Sequence, residues 1–213
     1  MDQHTEAINR LKLEKTAGAL KKNGYVCHVV SDEAEALSTL RELLHDGDSV
    51  AVGGSMTLFE IGVIDELRCG RYNFIDRYKE GLSRDELTAV HRSALTADAF
   101  ITSSNAITEN GELYNVDGSG NRVAAMLYGP ESVIVIAGVN KIVPDIEAAK
   151  ARVRFIAAPA NCHRLGMKTP CAAFGDCMDC RSTDRICSDF VIMGPQRAIG
   201  RVKVILVAKP LGY

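Results

Sequence analysis

A chain of 213 residues with 46% hydrophobic and 24% charged side chains has the composition of a folded globular protein, which excludes wholesale disorder. Its 25 basic and 27 acidic residues leave a net charge of −2 with no long basic run, so overall charge gives no support for nucleic-acid binding. No run approaches the ~18 apolar residues of a membrane span, and the charged N-terminus, with Asp2, Glu6, Arg10, Lys12, Glu14 and Lys15, has no apolar leader core. The chain therefore reads as cytoplasmic. At ~100–200 residues per domain, positions 1–213 are expected to form one domain, and self-association is left open.

The first 23 residues read as a helix carrying Ala7, Ile8, Leu11, Ala19 and Leu20, stopped by Asn23-Gly24. Tyr25 to Val30 reads as a strand. Ser31 is expected to cap a helix from Asp32 to His45, and Asp48 to Val52 to form a short buried strand. This alternation points to an α/β fold, with a mainly parallel, Rossmann-like sheet and helices on both faces. A helical segment is expected from Met56, a strand at Asn73 to Ile75, and a helix from Arg84 to Thr96 capped by Ser83 with Glu86 completing a capping box. Ala99 to Thr102 returns to strand. Two apolar runs between Ala106 and Val116 flank Glu109-Asn110-Gly111 and predict a hairpin.

Gly118-Ser119-Gly120 turns into a helix from Asn121 to Tyr128. Ser132 to Ala137, a continuous Val/Ile run, has the pattern of a central parallel strand. Pro144 is placed in the first turn of a helix through Arg152, while Phe155 to Arg164 is ambiguous because Pro159 interrupts it. Residues 167–189 lose periodicity and read as a cysteine-rich loop before the last strand, Val202 to Val207. Val50, Ile101, Val133 to Ile136 and Val204 to Val207 are the expected core.

Seven cysteines, an odd number without a secretion signal, argue against a disulfide framework. Four of them, Cys171, Cys177, Cys180 and Cys187, fall within 17 residues as C-x5-C-x2-C-x6-C. Four thiolates satisfy either an iron–sulfur cluster or a structural zinc, and the turn formers Gly175, Asp176, Asp179 and Ser182 allow the chain to aim them inward. One tight pair with longer arms is closer to [4Fe–4S] ligation than to the two paired C-x2-C units of many zinc sites; zinc stays the alternative. Cys27 and Cys69 read as core or incidental, and Cys162 and His163 as packing residues.

Two further segments carry candidate chemistry. Gly53-Gly54-Ser55-Met56-Thr57 leads from a strand into a helix and offers backbone N–H groups to an anion, with Ser55 and Thr57 as added hydroxyl donors. The polar stretch from Thr102 to Arg122 follows a strand, where open α/β sheets place ligands. Within it Asn105, Gly118, Gly120, Asn121 and Arg122 are candidate ligand residues, and Glu109 and Asp117 candidate bases. Gly53, Gly54, Ser55, Glu109, Asn121 and Arg122 are expected to converge on one pocket for an anionic small molecule. Arg122 is expected to be exposed, so that its loss leaves folding nearly intact.

Together these segments resemble the LUD-domain family, similar to lactate utilisation protein C. The resemblance rests on Val52 to Thr57 with Glu60, Ser104 to Gly111, Asp117 to Met126, Asn140 to Val143, Lys168 to Cys171 and Asp184 to Cys187. It implies a NagB/RpiA/CoA-transferase-like fold with a site at the strand ends. It further implies a redox accessory or electron-transfer role in cytoplasmic organic-acid (lactate-type) oxidation, beside iron–sulfur partner proteins. The family pattern assigns no catalytic residue. The alternative is a sugar-phosphate- or CoA-ester-processing enzyme of the same fold group, stapled by zinc.

Overall fold

Val133, Val135 and Ala137 project from one face of a strand and Ile134 and Ile136 from the other, and this alternation divides the core in two. A computed structural model describes residues 2–213. The main sheet has six parallel strands, numbered in chain order: β1 (Val26–Val30), β10 (Val202–Val207), β7 (Ser132–Gly138), β4 (Ala99–Thr102), β2 (Ser49–Val52) and β3 (Asn73–Ile75), adjacent in that order. The C-terminal strand β10 thus slots between β1 and β7, with Val204 opposite Cys27 on one side and Val135 on the other. Every strand of the expected core is present, and Val50, Ile101, Val133 to Ile136 and Val204 to Val207 are all buried.

One face of the sheet packs on α2 (Glu33–Glu42), α3 (Met56–Ile61) and α4 (Val63–Leu67), through residues such as Leu40, Leu58 and Ile64. The other packs on α1 (Gln3–Lys22) and α6 (Asn121–Leu127), through Leu13, Leu20 and Met126. The apolar side of α1 is Leu13, Ala17 and Leu20, whereas the expected Ile8 and Leu11 are 64% and 61% exposed. Only the second half of this helix lies over the sheet. Asp32, not Ser31, caps α2, its carboxylate accepting from the Glu35 N–H at 2.9 Å, and the helix ends at Glu42 rather than His45. The capping box of α5 (Arg84–Ser93) forms as its Ser83/Glu86 spacing predicts.

A second, smaller sheet contains β8 (Ile142–Val143), β5 (Ala106–Thr108), β6 (Leu113–Asp117) and β9 (Asp189–Met193), in that order. β5 and β6 are the predicted hairpin; β9, within and beyond the presumed loop, adds antiparallel to β6. Ile107, Leu113, Ile142 and Met193 from this sheet join the same core cluster as Val133 and Val135, so the two sheets are packed together. Its other face meets α7 (Ile146–Arg152) and α8 (Ala158–Arg164) through Ala149 and Ala158.

α7 is capped by Asp145, which leaves Pro144 outside the helix. The ambiguous stretch after it is a π-helical turn, Val153–Ala157, that leads into α8 with Pro159 in its first turn. A proline is tolerated there because its missing N–H and fixed φ suit a helix start. The cysteine segment is not wholly irregular, since α9 (Pro170–Phe174) carries Cys171. Among the described residues no helix is long and apolar enough to cross a membrane.

Candidate functional site

β2 and β4 are neighbours, with Val52 opposite Ile101, so the segments that follow them leave the sheet side by side. Gly53 stays against β4 by donating its N–H to the Ile101 carbonyl at 2.9 Å. A Cβ on Gly53 would stand 2.5 Å from Thr102 Oγ1 and 2.9 Å from Arg122 Cγ, so glycine is what lets the Arg122 stem cross the turn. Gly54, Ser55, Asn105, Gly118, Asn121 and Arg122 line one cavity of about 260 Å³ at these strand ends. The two glycine turns therefore meet, as the strand-end argument requires.

Other expected residues lie elsewhere. Glu109, at the tip of the hairpin, pairs with Lys15 of α1 at 2.5 Å and does not line the cavity. Gly53 packs beneath Arg122 without lining it. Gly120, with φ +70°, turns toward the Asp189 carboxylate and borders a separate groove beside α5. Thr57 is fully buried and holds a neighbouring lysine. The six-residue α3 is too short for its dipole to dominate the electrostatics.

Arg122 is the largest departure from expectation. It is 7% exposed, and its Nε donates to Asp117 Oδ1 at 2.9 Å. Nη1 donates to the Ser103 carbonyl (3.1 Å) and Asn115 Oδ1 (2.6 Å). Nη2 donates to Asn105 Oδ1 (3.0 Å) and the Val116 carbonyl (3.1 Å), and lies 2.8 Å from Asp117 Oδ1. The five N–H groups of a guanidinium are thus engaged. Asp117 also accepts from the backbone N–H groups of Arg122 and Val123 and so fixes the start of α6. The pair ties β6, α6 and the β4–β5 connection together; it is neither an exposed anion clamp nor a free carboxylate base.

Further positive charge comes from Arg77 and Arg164, which no motif singled out, and Lys141 of the Asn140 to Val143 segment adds an amine. Arg77 reaches the wall beside Gly54, and its buried Nε has no hydrogen-bond partner. Arg164, on α8, adds a second guanidinium, held by Asn161 Oδ1 at 2.7 Å. Lys141 enters from the 3-10 turn after β7, and the chain end contributes Tyr213. Asp117, already paired, is the one side-chain carboxylate among the described lining residues, so the side chains of the cavity carry an excess of positive charge. Val139, Ile142 and Val143 around Lys141, in a segment of the family resemblance, were the available signal for it; nothing local marks Arg77 or Arg164.

The four cysteines lie on one side of the molecule, near α8 and β9. Cys177 and Cys187 line a second cavity, of about 530 Å³, walled by Phe155, Phe190 and Ile192. Burial raises the Cys187 thiol pKa, against the favourable Arg185 charge, and Cys177 and Cys180 raise it further. Burial pushes Cys162 up to about 11, with Cys171 and Cys187 as neighbours, so Cys162 bridges the two ends of the segment. Arg185 braces the loop by donating to the carbonyls of Cys180 (2.5 Å) and Cys187 (2.9 Å). The donor set suits a thiolate-bound centre. Among the described residues no three such ligands converge on one point.

These features define an α/β protein with a positively charged crevice at the strand ends of a parallel sheet. The family model of the LUD domain matches residues 13–207, and the chain belongs to the LUD-domain family. Among solved structures, a DUF162 family protein from Deinococcus radiodurans aligns with 93% of this chain and 98% of its own, at 16% identity and a TM-score of 0.51. That likeness concerns the fold alone. Parts of eIF2B beta and eIF2B delta from Chaetomium thermophilum align with 53% and 52% of this chain and 43% and 48% of theirs. Their identities are 20% and 19%, and their TM-scores of 0.37 and 0.35 are too low to support an argument. No curated protein matches the chain.

Proposed function

We propose that this protein is a redox accessory or electron-transfer component of lactate-type organic-acid oxidation, with an anionic small molecule in the strand-end cavity and an iron–sulfur cluster on the cysteine segment. The observation that carries the reading is the cavity's charge. Arg77 and Arg164 face it without a carboxylate of their own, while its volume of about 260 Å³ suits a small ligand. Guanidinium groups bind carboxylates in a planar, two-point fashion, and Arg77 is the group with an unengaged donor. Gly54, Ser55, Asn105, Gly118, Asn121 and Arg122 supply the remaining walls, Arg122 as part of its pair with Asp117.

Cys171, Cys177, Cys180 and Cys187 are the residues that would hold a [4Fe–4S] cluster, which supplies one-electron transfer when bound. Arg185 would offset thiolate charge, and the apolar rim of Phe155, Phe190 and Ile192 would limit water access. All seven cysteines are free thiols, which suits a reducing setting and leaves the four of the segment available as ligands. The rival reading, a sugar-phosphate or CoA-ester enzyme with structural zinc, needs a carboxylate base at the cavity. Glu109 is outside it and Asp117 is engaged, which favours the first reading.

Anaerobic purification with metal and acid-labile sulfide analysis tests the cluster, and calorimetric titration with lactate and pyruvate tests the cavity. Brown protein containing iron and sulfide, and binding weakened by Arg77→Ala, are expected. Colourless protein with stoichiometric zinc and no sulfide would overturn the cluster assignment.

A further inference from the structure

One of the most buried polar groups of the cavity is an amine without a counter-ion. Lys141 is 2% exposed, and its Nζ donates to Thr57 Oγ1 and Ser103 Oγ, both at 2.9 Å. Both acceptors are neutral hydroxyls on fully or nearly buried residues, one at the start of α3 and one just past β4. Among the described residues no ion pair reaches this lysine. A buried ammonium in that state is costly, and the groups around it oppose the charge further. Burial first, then the positive charges of Arg152 and Arg122, bring its pKa down to about 7, against a weaker pull from Glu60. An ion pair and hydrogen bonds make Arg122 a structural cation, and hydrogen bonds to the carbonyls of Asn140 and Asn105 do so for Arg152; Lys141 has only the two hydroxyls.

We propose that Lys141 forms a reversible imine with the carbonyl carbon of a small 2-oxo acid whose carboxylate lies against the Arg77 and Arg164 side of the cavity. The inference rests on the anionic-cavity reading above and adds the chemical class of its ligand. A neutral, desolvated lysine amine is a nucleophile toward carbonyl carbon. Its lone pair forms the C–N bond while the C=O π pair moves to oxygen. The two amine protons are transferred to that oxygen, with the Ser103 and Thr57 hydroxyls placed to relay them. The C–O bond then breaks, water leaves, and a C=N bond remains. No electron is gained or lost, so no oxidant or reductant is involved in forming the imine. A 2-hydroxy acid has no carbonyl carbon for this step and would be held by charge alone.

Borohydride trapping tests the proposal on the full-length protein. The protein is incubated with pyruvate, reduced with sodium borohydride, and read by intact mass and peptide mapping, with lactate in a parallel arm and calorimetric binding of both acids measured without reductant. The expected result is one secondary-amine adduct of reduced pyruvate, mapped to Lys141, absent with lactate and lost in Lys141→Met. Because the adduct is mapped on the unsubstituted chain, a folding defect in the variant does not decide the outcome. Pyruvate that binds without a trapped adduct, or an adduct spread over surface lysines, overturns the imine and leaves the cavity reading standing. Failure of both acids to bind overturns the cavity reading itself.

Discussion

Replacing Arg122 by methionine should strongly destabilise the fold, although the residue lies in the candidate site. Methionine keeps an unbranched stem under Gly53 but removes every guanidinium donor. Asp117 would then be a carboxylate whose side chain is 10% exposed and which has lost its cation. The carbonyls of Ser103 and Val116 and the amide oxygen of Asn115 would lose donors at the same time. Breaking a buried ion pair by removing one partner costs about 3–5 kcal/mol. Asp117 would retain two backbone N–H groups, from residues 122 and 123, which places the loss near the lower end, about 3 kcal/mol.

For a chain of this length each kcal/mol shifts Tm by about 2–4 °C, so a fall of roughly 10 °C is expected. Urea unfolding with an unchanged m-value reads the same quantity. Asp117→Asn in the Arg122→Met background should recover part of the loss, because the neutral amide has no charge to desolvate. A loss below ~1 kcal/mol, the range of exposed pairs, would refute the reasoning.

Gly111 has φ +80°, and an added Cβ would stand 2.7 Å from the backbone of Ala19 and Leu20, so Gly111→Ala should destabilise by about 1–3 kcal/mol; unchanged thermal unfolding would show that α1 can move away from the hairpin. Lys141 has a folded-state pKa of about 7 against 10.5 when unfolded, so between these values the unfolded chain binds the extra proton and stability rises with pH. Below pH 7 both states carry the charge and the penalty is fully present. Lys141→Met should therefore stabilise most at and below pH 7, its advantage shrinking by up to about 1.4 kcal/mol per pH unit toward pH 10; parallel urea curves across that range would contradict this. Serine at any one of Cys171, Cys177, Cys180 or Cys187 should remove most bound iron, measured on anaerobically purified protein. Cys27→Ser should keep it, since burial pushes that thiol up to about 12 on a main-sheet strand; equal iron in all five variants would overturn the ligand set. Val135→Asp should prevent folding at 37 °C, by placing a carboxylate in a fully buried strand between β10 and β4.

The main sheet was legible because parallel strands covered on both faces must be continuous apolar runs. Val133 to Ile136 and Val204 to Ile205 announce that directly. The smaller sheet was half legible. Its hairpin has a local signature in Asn110-Gly111, but β9 pairs with β6 across more than 70 residues, and Asp189-Phe190 resembles a loop. Its exposed Phe190 and Ile192 alternate with the less exposed Val191 and Met193, a period-2 pattern too short to stand out among cysteines and turn formers. The π-helical turn before Pro159 was hidden for a related reason. Helical periodicity shifts there by one residue, so the apolar positions Val153, Ala157 and Ala158 keep no single spacing.

The site shows where local chemistry stops being informative. Gly53, Gly54 and Ser55 were readable because a strand that ends in small residues leaves room at the sheet edge, whatever the rest of the chain does. Arg122 was readable as important but not in its role, since an arginine after a Gly-Ser-Gly-Asn turn has the same local sequence whether it meets solvent or a buried carboxylate. Its partners come from β6 and the β4–β5 connection, and only the fold brings them to it. Lys141 shows the reverse case. Val139, Ile142 and Val143 near it mark a buried position, but burial does not by itself distinguish a paired ammonium from a neutral amine. Two hydroxyl acceptors instead of a carboxylate make that distinction, and they reach Lys141 from sequence separations of 84 and 38. The two cations therefore divide the work of the crevice. Arg122 is fully hydrogen-bonded and holds the walls in place, which leaves Lys141, with its charge opposed from every side but Glu60, as the group whose reactivity the fold can tune.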